Sequence, residues 1–178
     1  MDALRKEETR YTTADIYALP DGKRAELIDG KIYDMAPPGL IHQRISMKLS
    51  RELSAFTEKN GGSCEVLAAP FAVFLTDDDR TYVEPDISVI CDRTKLDEKG
   101  CHGAPDWIIE IVSPNSRSKD YMTKLFLYRT AGVREYWIVD PDQQITSVYS
   151  FETDRVEQYR FDEKVVAGVW EGFCVRVV

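Results

Sequence analysis

The sequence predicts an α/β fold in which helices flank a mixed β-sheet. Strand–helix–strand passages imply parallel pairing, hairpin turns imply antiparallel edges, and a long amphipathic helix has an apolar stripe to bury.

Taken in order, Thr12–Thr13 starts a short helix over Ala14 to Leu19, which ends before Pro20 and the turn Asp21–Gly22. Arg24 to Ile28 and Lys31 to Met35 flank Asp29–Gly30, a strong hairpin signal. Pro37, Pro38 and Gly39 form a loop before a helix from about Ile41 to Lys59. Its positions Ile41, Ile45, Leu49, Leu53 and Phe56 recur at helical spacing, and Asn60–Gly61–Gly62 stops it. Three extended segments follow, Ser63 to Ala68, Phe71 to Leu75 and Tyr82 to Ile90, with Asp77–Asp78–Asp79 as a solvated turn. Asp92 to Gly103 is expected to be a polar surface loop.

Trp107 to Val112 is apolar except for Glu110, the pattern of a central strand covered on both faces. Ser116 or Ser118 then caps a helix from about Lys119 to Ala131, with Tyr121, Leu125 and Tyr128 facing the core. Gly132 ends it. Arg134 to Val139 is a further strand, hairpinned through Asp140–Pro141–Asp142 to Gln144–Phe151. Strands at Val156–Phe161 and Cys174–Val177 complete the chain. The 178 residues fit a single domain, with a core of about 11–150 and C-terminal strands within 156–178.

Composition narrows the function. The chain is 43% hydrophobic and 30% charged, ordinary values for a globular domain. No stretch approaches the roughly 20 apolar residues of a membrane span. The charged segment Met1 to Arg10 lacks the apolar core of an export signal. Cys64, Cys91, Cys101 and Cys174 contain no Cys-x-x-Cys pair, and the expectation is reduced, structural thiols in a cytoplasmic protein. The net charge of −8 runs against nucleic-acid binding, which draws its affinity from basic surfaces.

Two segments carry chemistry. Glu84 to Val89 and Trp107 to Val112 each place one carboxylate, Asp86 and Glu110, in an apolar strand. A buried carboxylate needs a cation or a set of donors. Adjacent strands would bring the two together, where a divalent cation would cancel their repulsion. The alternative is that Asp86 caps a turn and Glu110 pairs with a core Arg or Lys. His42 opens a helix after a Pro–Pro–Gly loop, a position suited to facing a cleft or a phosphate, or simply solvent. His102 beside Cys101 lacks further ligands at zinc spacing.

Pro85–Asp86 followed by Glu110–Ile111–Val112 resembles the Pro-Asp … Asp/Glu-x-Lys signature of the restriction-endonuclease-like superfamily. Pro-Asp alone is weak, but an ordered series resembles the bacterial Uma-two endonuclease family in particular. It comprises Glu26–Leu27–Ile28–Asp29–Gly30–Lys31, His42–Gln43–Arg44, Pro85–Asp86, Glu110–Ile111–Val112–Ser113–Pro114 and Asp120 with Lys124. Tyr128–Arg129–Thr130–Ala131–Gly132–Val133 and Glu135–Tyr136–Trp137–Ile138–Val139–Asp140–Pro141 continue it, so that it spans about Tyr11 to Tyr149.

This resemblance implies a restriction-endonuclease-like fold and Mg²⁺-dependent hydrolysis of a phosphodiester, with Mn²⁺ as a substitute ion and DNA as the usual target. It makes Asp86 and Glu110 metal ligands, with the Ile111 carbonyl as a third oxygen. Val112 stands where the signature has Lys, and the family pattern points to Lys124 on the next helix as the replacement. The alternative for Lys124 is a surface pair with Asp120 at i, i+4. Glu26 is a further ligand or base on resemblance, against an exposed strand residue. Cutting both strands of a duplex with one site per chain favours a homodimer. Two rival readings are a catalytically weakened relative that binds metal or nucleic acid, and a non-enzymatic assembly protein on the same fold.

Overall fold

The structure is a computed structural model and describes residues 10–178; the segment 1–9, where an export signal was sought, lies outside them. The elements are α1 (Thr13–Tyr17), β1 (Ala25–Ile28), β2 (Lys31–Asp34), α2 (Leu40–Asn60), β3 (Glu65–Ala68), β4 (Val73–Phe74) and β5 (Ile87–Ile90). Then come β6 (Leu96–Asp97), β7 (Gly100–His102), β8 (Trp107–Ile111), a π-helical turn (Lys119–Lys124) and α3 (Leu125–Ala131). The chain continues with β9 (Glu135–Asp140), β10 (Ile145–Ser150), β11 (Arg155–Arg160), β12 (Val165–Val166) and β13 (Cys174–Val175).

The main sheet has the order β11-β10-β9-β8-β5-β3, with β8 and β9 parallel and the other neighbours antiparallel. The mixed sheet expected from the strand–helix–strand passage is present, and the crossover between its parallel strands carries the π-turn and α3. Side chains alternate along β8. Trp107, Ile109 and Ile111 pack with Ile45, Leu49 and Leu53 of α2 and with Phe173 and Val175. Ile108 and Val112 pack with Tyr128 of α3 and with Tyr136 and Ile138. Glu110 shares the parity of this second face, so burial of the strand draws a carboxylate under the crossover.

Several expectations need correction. Ile41 is exposed, because contact between α2 and the sheet begins one turn later at Ile45. Of Tyr82 to Ile90 only the last four residues form a strand; Tyr82 and Val83 make isolated bridges to Leu27 and Val73, and Pro85 has no N–H to extend a ladder. Asp92 to Gly103 is not a loop but a short helical turn followed by β6 and β7, with β7 pairing β4. Gly100 permits that approach: a Cβ there would lie 2.3 Å from the Ala72 carbonyl oxygen.

The thiols are not all reduced. Cys64 and Cys91 form a disulfide, because the β3–β5 register pairs Glu65 with Ile90 and so sets the next residues out opposite one another. Cys101 and Cys174 are free. The cytoplasmic expectation, which leaned on unpaired cysteines, therefore loses its support. Among the described residues no helix is long and apolar enough to cross a membrane.

Candidate active site

Antiparallel pairing of β5 with β8 matches Ile87 to Ile109, and one step outward the same register sets Asp86 opposite Glu110. The two carboxylates that the sequence singles out therefore meet at one end of the central strand pair. Asp86 Oδ2 accepts from the Ile111 amide at 2.7 Å and from His42 Nε2 at 3.0 Å. The other ring nitrogen of His42, Nδ1, is buried without a hydrogen-bond partner. The long α2 thus carries its N-terminal histidine to the strand ends, and Asp86, Ile111 and His42 form one constellation. His42 is pushed above its ordinary value: burial opposes the charged ring, and the Asp86 hydrogen bond and charge outweigh it.

Glu110 sits deeper. Its Oε1 accepts from Lys124 Nζ and from the Tyr128 hydroxyl, both at 2.7 Å. Lys124 Nζ also lies 2.7 Å from Glu26 Oε1, and Lys119 Nζ holds Glu26 Oε2 at the same distance. Lys119 lies 5.4 Å from the centre of the Tyr33 ring on β2. The β1–β2 hairpin therefore delivers Glu26 to the crossover helix, and Lys124 bridges Glu26 and Glu110. Glu26, Glu110 and Lys124 are all buried. The exposed placement for Glu26 and the surface pair for Lys124 are both overturned.

The reason lies in the π-turn. Six residues from Lys119 to Lys124 are wound more widely than an α-helix, which brings Lys119 and Lys124, at i and i+5, to one side, where both reach Glu26. Counting at 3.6 residues per turn could not place them there. Lys119, Asp120 and Tyr128 thus join the site, although the sequence assigned them no role in it. A lysine beside a matched Asp and Lys was the available hint for Lys119.

Charge is unevenly matched. Four carboxylates, Glu26, Asp86, Glu110 and Asp120, face Lys119, Lys124 and His42. Burial pushes Glu110 up to about 8; Lys124 opposes this, while Asp86, Asp120 and Glu26 add to it. Burial also raises Asp120. Glu26 moves the other way, because its two lysines outweigh its burial. Lys124 is held well above its usual range by Glu110, Glu26 and Asp120 despite burial, and it remains an ammonium.

This donor set suits a small hard cation. Opposed Asp86 and Glu110 and a nearby backbone carbonyl at Ile111 are what Mg²⁺ uses, since it takes one or two carboxylates and fills the rest with carbonyl and water. Among the described residues no three His, Cys, Asp or Glu side chains form a metal-holding group. His102 contributes nothing here: it pairs with Asp97 and stacks on Phe74.

Comparison with known proteins supplies a family and a fold. The Uma2 family model, described as "Putative restriction endonuclease", matches residues 13–171. The uncharacterized protein slr1290 of Synechocystis sp. (strain ATCC 27184 / PCC 6803 / Kazusa) is 28% identical over 106 residues, 60% of this chain and 54% of its own. Protein sll1609 of the same organism is 26% identical over 121 residues, 66% of this chain and 67% of its own. The match thus spans about half the length of the first relative. A crystal structure of "a putative nuclease belonging to DUF820" from Anabaena variabilis ATCC 29413 has a TM-score of 0.75 at 23% identity, covering 93% of this chain and 94% of that one. That likeness fixes the fold.

Proposed function

This chain belongs to the Uma2 family, and on that premise we propose that it is a Mg²⁺-dependent endonuclease-like hydrolase of phosphodiesters, acting on DNA. The observation that carries this reading is the meeting of Asp86, Glu110, Glu26 and Lys124 from four separate parts of the chain at one strand end. A purely structural carboxylate needs only donors, not further carboxylates gathered beside it.

Asp86, Glu110 and the Ile111 carbonyl would hold the ion, with Mn²⁺ as a substitute. When bound, the ion supplies a Lewis acid for the phosphate and its attacking water. Lys124 supplies positive charge. As a permanent ammonium it donates hydrogen bonds and offsets charge developing on the phosphate; it does not remove a proton from water. It fills the part vacated by Val112, from the next helix. Lys119 holds Glu26 in place, and Glu26 in turn fixes Lys124. His42, at the start of α2 and tied to Asp86, is placed to contact a phosphate oxygen.

The acidic surface predicts weak, salt-sensitive association with DNA. A homodimer would let two such sites address both strands. One observation favours the weakened relative as a second reading: Glu110 Oε1 is already engaged by both Lys124 and Tyr128.

Supercoiled plasmid at low salt with Mg²⁺ tests the proposal. Wild type should nick it, while Asp86→Ala and Glu110→Ala should each lose the activity by at least about 100-fold. A wild type that leaves the plasmid intact with Mg²⁺ and with Mn²⁺ contradicts it.

A further inference from the structure

Asp120 is the carboxylate that the hydrolase reading leaves without a task. It is 2% exposed, and its Oδ1 is sealed from solvent without a hydrogen-bond partner. The nearby Ser116 hydroxyl is engaged with Ser113, and Asp120 Oδ1 stays orphaned. An unsatisfied buried acceptor is costly, and Asn or Ser would fill the place more cheaply. Asp120 is not arranged with two other His, Cys, Asp or Glu side chains as a metal ligand among the described residues. What remains is a donor that visits.

Lys124 is that donor. An ammonium has three N–H groups, and two of them are committed to Glu26 Oε1 and Glu110 Oε1. Lys124 and Asp120 share the π-turn and the same buried side, and each acts on the other's charge. A divalent ion arriving at Glu110 repels an ammonium that sits 2.7 Å from Glu110 Oε1. The flexible four-carbon stem of lysine lets the charge move without moving the helix.

We propose that Asp120 is a positioning residue, the acceptor onto which Lys124 shifts its third N–H when a divalent cation occupies the Asp86–Glu110 edge. Asp120 then sets how readily the ion displaces Lys124 from Glu110, and it keeps the displaced ammonium beside the reacting phosphate. The inference rests on the metal-dependent reading, and it concerns Asp120 alone.

Asp120→Asn keeps the shape and removes the charge, so it separates this role from packing. With the metal-free protein, the variant should unfold at a higher temperature than wild type, because a buried unpaired carboxylate is gone. In calorimetric titration with Mg²⁺ it should bind about 10-fold more weakly or worse, the usual effect of losing a residue behind a metal ligand. Asp120→Glu should recover part of the affinity. Unchanged Mg²⁺ affinity in Asp120→Asn beside clear binding by wild type overturns the Asp120 role and leaves the hydrolase reading standing. A metal-free variant less stable than wild type with unchanged affinity assigns Asp120 to structure and also overturns it. Absence of Mg²⁺ binding by wild type overturns both.

Discussion

Glu110 and Glu135 are both buried carboxylates on neighbouring parallel strands, and they pair in opposite styles. Glu135 Oε1 takes the Trp137 indole N–H at 2.6 Å, and its Oε2 takes the amides of Gly168 and Val169 at 2.7 and 2.9 Å. Neutral donors satisfy both of its oxygens, and the result is a clasp that ties the segment after β12 onto the sheet. Glu110 has a cation, a phenol and three carboxylates nearby, and burial with that repulsion pushes it up to about 8. The first arrangement is closed. The second gathers more carboxyl groups than cations, and burial keeps a proton on Glu110 that an added cation would replace. Burial of a carboxylate does not by itself mark a site; the mismatch around it does.

Removing a partner from each region sharpens that contrast. Lys124→Met leaves Glu26 and Glu110 buried without their shared cation. It should lower stability by about 4 kcal/mol in urea unfolding. Glu135→Ala orphans one indole and two backbone amides and should lower stability by about 2 kcal/mol. It should leave Mg²⁺ affinity as in wild type, since it lies outside the linked set. A loss of Mg²⁺ affinity in Glu135→Ala would erase the distinction.

The contrast also shows in pH. Glu110 binds its proton more tightly folded, at about 8, than at its ordinary 4.5. Stability from this source is full below 4.5 and is lost as pH rises towards about 8. The metal-free unfolding temperature should therefore fall from pH 5 to pH 8, and Glu110→Gln should flatten that fall. A profile of the same slope in both proteins would place the titration elsewhere.

Much of this was legible in the chain. The apolar run around Glu110 announced a central strand, and Asp29–Gly30 announced the hairpin that carries Glu26. Long α2 was readable from Ile45, Leu49 and Leu53, which the sheet covers. What escaped was what depends on register or winding. Cys64 and Cys91 lie 27 residues apart, and only the β3–β5 pairing opposes them. Lys119 reaches the same glutamate as Lys124, five residues on, because six residues wind as a π-turn, and side-chain patterning assumes 3.6 residues per turn. Short strands such as β6 and β7 carry too few residues for alternation to register, and Gly100 permits a backbone contact that leaves no apolar trace.

Calorimetric titration of Mg²⁺ into wild type and Asp86→Ala at low salt tests the central claim most directly. Asp86 is partly exposed and its removal should cost only about 1 kcal/mol of stability, so the variant stays folded for the comparison. Saturable binding to wild type that vanishes in Asp86→Ala is the expected result. No heat of binding to wild type, or the same isotherm in both proteins, would contradict it.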